Sequence, residues 1–135
     1  MRQLTKTAAV AAFGAALFTA GAAHAIPIKT ALSLIIDASG SISGAEFETQ
    51  RNAYSSLLGN ASVLPADGSV VINFVQFASS SSLEQTAIRI VDEAARTTLL
   101  NSIAAMVKLG GGTNIGAGIN TGRLDMDAYL TTINK

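Results

Sequence analysis

The sequence contains no cysteine and no tryptophan, has a single histidine, His24, and only 13% of its residues are charged. The missing cysteines exclude disulfides, thiolate metal sites and lipid attachment through sulfur. His24 lies near the N-terminus, inside a stretch that reads as an export signal. MRQLTK is a basic leader, TAAVAAFGAALFTAGAA an uncharged apolar run, and AHA a small-x-small cleavage site before Ile26. A signal peptide over residues 1–25 and a mature domain over 26–135 are therefore expected, with the product secreted or periplasmic. The other reading of the leader is an uncleaved membrane anchor, but its run is rich in Ala and Gly and short for spanning a bilayer. Without the leader, no histidine remains, so Ser-His-Asp and Cys-His catalysis lack their base.

Charge of one sign is also lacking. Nine basic and nine acidic residues are scattered along the chain. Removal of Arg2 and Lys6 leaves seven basic against nine acidic, a net charge of −2. No basic face for a phosphate backbone emerges, which argues against nucleic acid as a partner. A length of 135 residues with 49% hydrophobic content fits one globular domain with a modest core.

What is present alternates between strand and helix patterns. ALSLIID (31–37) is a continuous apolar run of the kind covered on both faces. Ser43 to Glu46 has the S-x-x-E capping-box form, and Phe47, Tyr54 and Leu58 carry a helix to about residue 59. The turn-rich NASVLPADGS leads into a strand, SVVINFVQFA (69–78). SSSS (79–82) reads as a flexible tip before a further strand, LEQTAIRIV (83–91), with the short connection implying an antiparallel pair. DEAARTTLLNSIAAMVKL (92–109) predicts a second helix, and Ile115, Ile119, Met126 and Tyr129 a third from about 114 to 131. Strand, loop and helix in repetition predict an open α/β sheet, whose ligands gather at the C-terminal ends of the strands.

Asp37 stands at such an end, opening DASGSIS (37–43). Alternate residues of an extended segment share a side, so Asp37, Ser39 and Ser41 can aim their oxygens at one spot. One carboxylate and two hydroxyls form a hard, all-oxygen set suited to a small divalent cation that keeps some water, which describes Mg²⁺ better than zinc or copper.

The D-x-S-x-S sequence at the end of an apolar first strand resembles the metal-ion-dependent adhesion site of von Willebrand factor type A (vWA) domains. GGGTNIG (110–116) is similar to the family's second motif, a metal-bound threonine at the start of a helix, here Thr113. The resemblance implies an open, doubly wound vWA sheet. It implies Asp37, Ser39, Ser41 and Thr113 as ligands of Mg²⁺, or of Mn²⁺ or Ca²⁺, some through water. It further implies a protein partner that offers a carboxylate to the metal, with binding and no turnover.

Family members bring a further aspartate on a loop after the fourth strand, and this sequence stops at Lys135, near the end of the third helix. The resemblance therefore covers only the first part of the family's domain, with the C-terminal strands missing and the first strand left at an edge. Contact with a membrane would then come only through an uncleaved signal or a missing C-terminal segment. Two other readings stand beside adhesion: an accessory part of a larger secreted enzyme, or a remnant that binds no metal.

Each motif also has a plainer reading. DASGSIS could be only a strand-to-helix turn. Gly111 and Gly116 have phosphate-loop spacing, but Ala117 stands where the lysine belongs. A phosphatase like the haloacid dehalogenases would carry a second acid where Ser39 is found. Gly116, Gly118 and Gly122 predict close packing of the third helix on the sheet, Asn60-Ala61-Ser62 is a chance glycosylation sequon, and Asp125 and Asp127 are expected on a solvated helix face.

Overall fold

The computed structural model describes residues 26–133; the expected signal peptide lies outside them. Six elements follow in the order β1 (Thr30–Asp37), α1 (Gly44–Gly59), β2 (Val70–Phe77), β3 (Ser81–Arg89), α2 (Glu93–Ala105) and α3 (Ile115–Ile133). The sheet has the order β1-β2-β3, with β1 parallel to β2 and β3 antiparallel to it. Among the described residues β1 lies at one side of the sheet and β3 at the other. A parallel neighbour requires a crossover, which α1 supplies, whereas the antiparallel pair needs only the short turn after Phe77.

The period-two alternation of β2 sends its residues to two different environments. Ile72 and Phe74 join Ile36, Ile90, Leu99 and Ile103 in the main apolar cluster beneath α1 and α2. Tyr54 of α1 meets Phe74 edge-on, with centroids 5.4 Å apart. Val75 and Phe77 face α3, where Gly118 and Gly122 let the helix backbone close on the sheet. A β-carbon at Gly118 would lie 2.9 Å from Ile35 Cγ2 and 3.0 Å from Phe77 Cβ, and one at Gly122 3.2 Å from Ser33 Cβ. Gly116 has no such constraint, its nearest atom being Asn114 Oδ1 at 3.6 Å.

Helix α1 starts where the sequence predicts. Ser43 Oγ accepts from the Glu46 N–H at 3.3 Å, and the Ser43 N–H donates to Glu46 Oε2 at 2.8 Å. The Ser43 N–H, and to a lesser degree the Ser43 hydroxyl, hold the Glu46 carboxyl below its ordinary pKa by favouring its charged form.

Three expectations are corrected. Helix α2 ends at Ala105, short of Leu109, because neighbouring elements take over the groups that would continue it. Arg51 donates to the carbonyls of Ala104 and Met106, while Gln76 donates to the Val107 carbonyl and accepts from Leu109 N–H. Ser81 and Ser82 are no flexible tip; they open β3 opposite Phe77 and Gln76, and Ser81 shares a 2.8 Å hydroxyl contact with Thr121. Asp125 is not on a solvated face. Its Oδ2 accepts from Asn73 Nδ2 at 2.8 Å and from the Ala87 N–H at 2.7 Å, pinning α3 across β2 and β3. Asp127 does lie outward, paired with Arg123 at 2.7 Å.

Candidate metal centre

β1 delivers Asp37 to the C-terminal end of the sheet, opposite Phe77 of β2. There the Ser39 N–H folds back onto Asp37 Oδ1 at 2.8 Å, an Asx turn that fixes the carboxylate; among the described residues Oδ2 has no hydrogen-bond partner. Ser39 is fully buried, and its Oγ lies 3.1 Å from the Oγ of exposed Ser41. The three oxygen-bearing side chains of the first motif therefore cluster on one loop before α1 begins.

The second motif is fastened to the first by backbone bonds. Gly40 N–H donates to the Gly111 carbonyl at 2.7 Å, and Gly110 N–H donates to the Ala38 carbonyl at 2.8 Å. Only glycine fits this clasp: Gly110 and Gly111 have φ of 76° and 96°, and a β-carbon at Gly40 would stand 3.0 Å from the Gly111 oxygen. The end of β2 completes it. Ser79 Oγ accepts from the Gly112 N–H at 2.6 Å, and Asn114 N–H donates to the Ala78 carbonyl at 2.7 Å. Asn114 Oδ1 in turn accepts from Ala117 N–H at 3.1 Å and caps α3.

Thr113 thus lies between two anchored residues, Gly112 and Asn114, and is exposed. The loops of all four candidate ligands meet, although no hydrogen bond joins the Thr113 hydroxyl to Asp37, Ser39 or Ser41 among the described residues. Ser79 was missed by sequence reasoning, since a serine within SSSS carries no signal of its own; its role depends on where the distant Gly112 arrives.

Among the described residues no three His, Cys, Asp or Glu side chains gather into a metal-holding group. The donor set here is different in kind, one carboxylate with hydroxyls, and it fits a hard cation that retains water more closely than a soft or tightly caged one. The nearest further acid in sequence, Glu46, is engaged in the helix cap. A hollow of about 560 Å³ lies at the other pole of the sheet, lined by residues 26–31 with Arg89, Leu130 and Ile133, and has no part in this centre.

The von Willebrand factor type A domain model matches residues 32–128, so the chain belongs to that family. Domains of this class commonly bind proteins. No curated protein matches the chain. Among solved structures, it is similar to the D319A mutant of the PilB minor pilin from Streptococcus sanguinis, at 20% identity and a TM-score of 0.60, covering 73% of this chain and 26% of that one. It is also similar to an uncharacterized membrane spanning protein from Vibrio fischeri, at 15% identity and a TM-score of 0.56, covering 73% of this chain and 50% of the other. At these identities the likeness is one of fold. The chain spans half or less of the length of these neighbours. Among the described residues no helix is long and apolar enough to cross a membrane.

Proposed function

We propose that this chain is an extracytoplasmic vWA binding module that holds Mg²⁺, or Mn²⁺ or Ca²⁺ in its place, and uses it to engage a carboxylate of a protein partner. The observation that carries this reading is the double clasp between residues 38–40 and 110–111, which seats the Thr113 loop against the loop of Asp37, Ser39 and Ser41. Asp37 would supply the single charged ligand through Oδ2. Ser39 and Ser41 would supply neutral oxygens, and Thr113 a fourth from the neighbouring loop.

The chemistry of such a set favours bridging over turnover. A divalent ion facing one carboxylate and neutral hydroxyls keeps most of its positive charge, so an anionic side chain from outside is a better partner than water. Residues 26–133 contain neither histidine nor cysteine, and no general base of those types is at hand for catalysis. Export, with the leader removed, would put the centre where millimolar divalent cations and surface proteins are met.

The test is the effect of Mg²⁺ on thermal unfolding of the chain and of its Asp37→Ala variant. Preferential binding to the folded state raises the melting temperature of the parent as Mg²⁺ increases. The variant should show no such rise. Equal responses in the two proteins would sink the assignment.

A further inference from the structure

A short segment beside the candidate centre turns apolar side chains outward. Met106 closes the core at 3% exposure, yet the next residue, Val107, is 80% exposed, the most of any large hydrophobic side chain among the described residues. Leu109 is 42% exposed. Single surface hydrophobics are ordinary, but two of them flanking a lysine, on a stretch outside any helix or strand, call for a reason.

The stretch is firmly held. Gln76 of β2, only 2% exposed, spends both ends of its carboxamide there: Nε2 donates to the Val107 carbonyl at 3.0 Å, and Oε1 accepts from the Leu109 N–H at 3.3 Å. Glu84 Oε1 of β3 accepts the second Nε2 proton at 2.7 Å, and Arg51 donates to the Met106 carbonyl at 3.2 Å. The Val107 carbonyl and the Leu109 N–H therefore face the protein, and in an extended chain the polar groups of the residue between them face the other way. Neither the N–H nor the carbonyl of Lys108 has a hydrogen-bond partner among the described residues. Its ammonium has no carboxylate at ion-pair distance among them either.

This strip runs directly into the candidate centre. Gly110, the next residue, donates to the carbonyl of Ala38, which stands between Asp37 and Ser39, and Thr113 follows. At no more than about 3.5 Å per residue, Lys108 lies within roughly 7 Å of Gly110, so about three or four residues of extended polypeptide span the distance from the strip to a cation on Asp37. Gln76 and Glu84 belong to β2 and β3, which places the strip on the β3 side of the centre.

We propose that the partner engages this strip with an extended segment. An acidic side chain of that segment reaches the cation, and about three or four residues along it an apolar side chain lies over Val107 and Leu109 while its backbone pairs with the N–H and carbonyl of Lys108. This inference rests on the cation reading above and adds what the partner presents besides its carboxylate. Extended polypeptide fits the strip because it brings both an apolar side chain and the backbone donor and acceptor that Lys108 lacks. The Lys108 ammonium favours an acidic segment over a basic one. Because Gln76 holds the strip before any partner arrives, docking requires little ordering on this side.

The probes are fluorescent peptides that carry Val-Thr-Val and a single Asp placed about two to six residues from it on either side, titrated with the chain in Mg²⁺. The expected result is tightest binding with the Asp about three or four residues away, and about a ten-fold loss when both valines of the peptide are replaced by serine. In the Val107→Ser variant the same peptide change should matter less than about two-fold, and melting curves with and without Mg²⁺ check its fold and cation binding. Binding should also slow hydrogen exchange at the Lys108 N–H. Peptides that need Mg²⁺ and Asp37 but ignore the loss of their valines, or leave Lys108 exchange unaltered, would overturn the strip alone and leave the cation reading standing. Binding that persists in chelator or in Asp37→Ala would contradict the cation reading and this inference with it. Failure of every peptide to bind, or a dimer of the chain that Val107→Ser abolishes, would likewise overturn the inference.

Discussion

The two faces of the sheet hold their helices by different means. Beneath α1 and α2 the contact is made by volume: Ile36, Ile72, Phe74, Ile90, Leu99 and Ile103 are all essentially without solvent exposure. Beneath α3 the contact is made by nearness and hydrogen bonds. Two glycines bring the backbone in, and Asn73, Asp125, Ser81 and Thr121 join across the interface. Volume tolerates small adjustments, whereas close approach fixes one position of the helix. That difference has a consequence for the candidate centre, because Thr113 stands directly before α3 and its placement depends on how that helix is seated.

The contrast can be broken from either side by substitutions read in urea unfolding. Phe74→Ala removes the ring at the middle of the volume-packed face and should cost about 3–5 kcal/mol, with little change in the α3 contacts. Gly118→Ala forces Ile35 and Phe77 apart and should cost about 2–3 kcal/mol, whereas Gly116→Ala in the first turn should fall within about 0.5 kcal/mol of the parent. Near-equal values for the two glycines would show that close approach is not what seats α3. Asp125→Ala leaves the Ala87 N–H and Asn73 Nδ2 short of an acceptor and should cost about 1–2 kcal/mol.

The smallest effect concerns pH. The Glu46 carboxyl is held below its ordinary pKa, so its contribution is present above that ordinary value and fades as pH falls through the lowered one. Glu46→Gln should therefore flatten a slight loss of stability in the acid range and leave neutral stability nearly unchanged. An unaltered acid profile would show that the cap contributes no linkage.

Much of this was legible in residues close together along the chain. The Ser43–Glu46 box and the Gly118–Gly122 spacing each declare a local rule that the fold obeys. The apolar run of β1, by contrast, gives a strand but not the coverage on both faces it led one to expect: among the described residues Thr30, Ala31 and Leu32 are exposed and only Ile36 of the strand is buried. What could not be read came from partners brought in from far away. The periodic pattern of 92–109 continues past Ala105, but Gln76 and Arg51 claim the backbone there from positions about 30 and 50 residues earlier. Asp125 looks like any acid on an outer helix face until Asn73 and Ala87 arrive beside it. In the candidate centre, Asp37, Ser39 and Ser41 were visible as one motif and Thr113 through family resemblance, while the serine that ties the second loop down, Ser79, was not.

Paramagnetic Mn²⁺, standing in for Mg²⁺, tests most directly whether both loops enclose one cation. Substoichiometric Mn²⁺ should broaden the amide resonances of residues 38–41 and 111–114 together, leave Gly68 and Val91 at the far end of the sheet sharp, and lose both effects in Asp37→Ala. Broadening confined to one loop, or retained without the Asp37 carboxylate, would contradict the account.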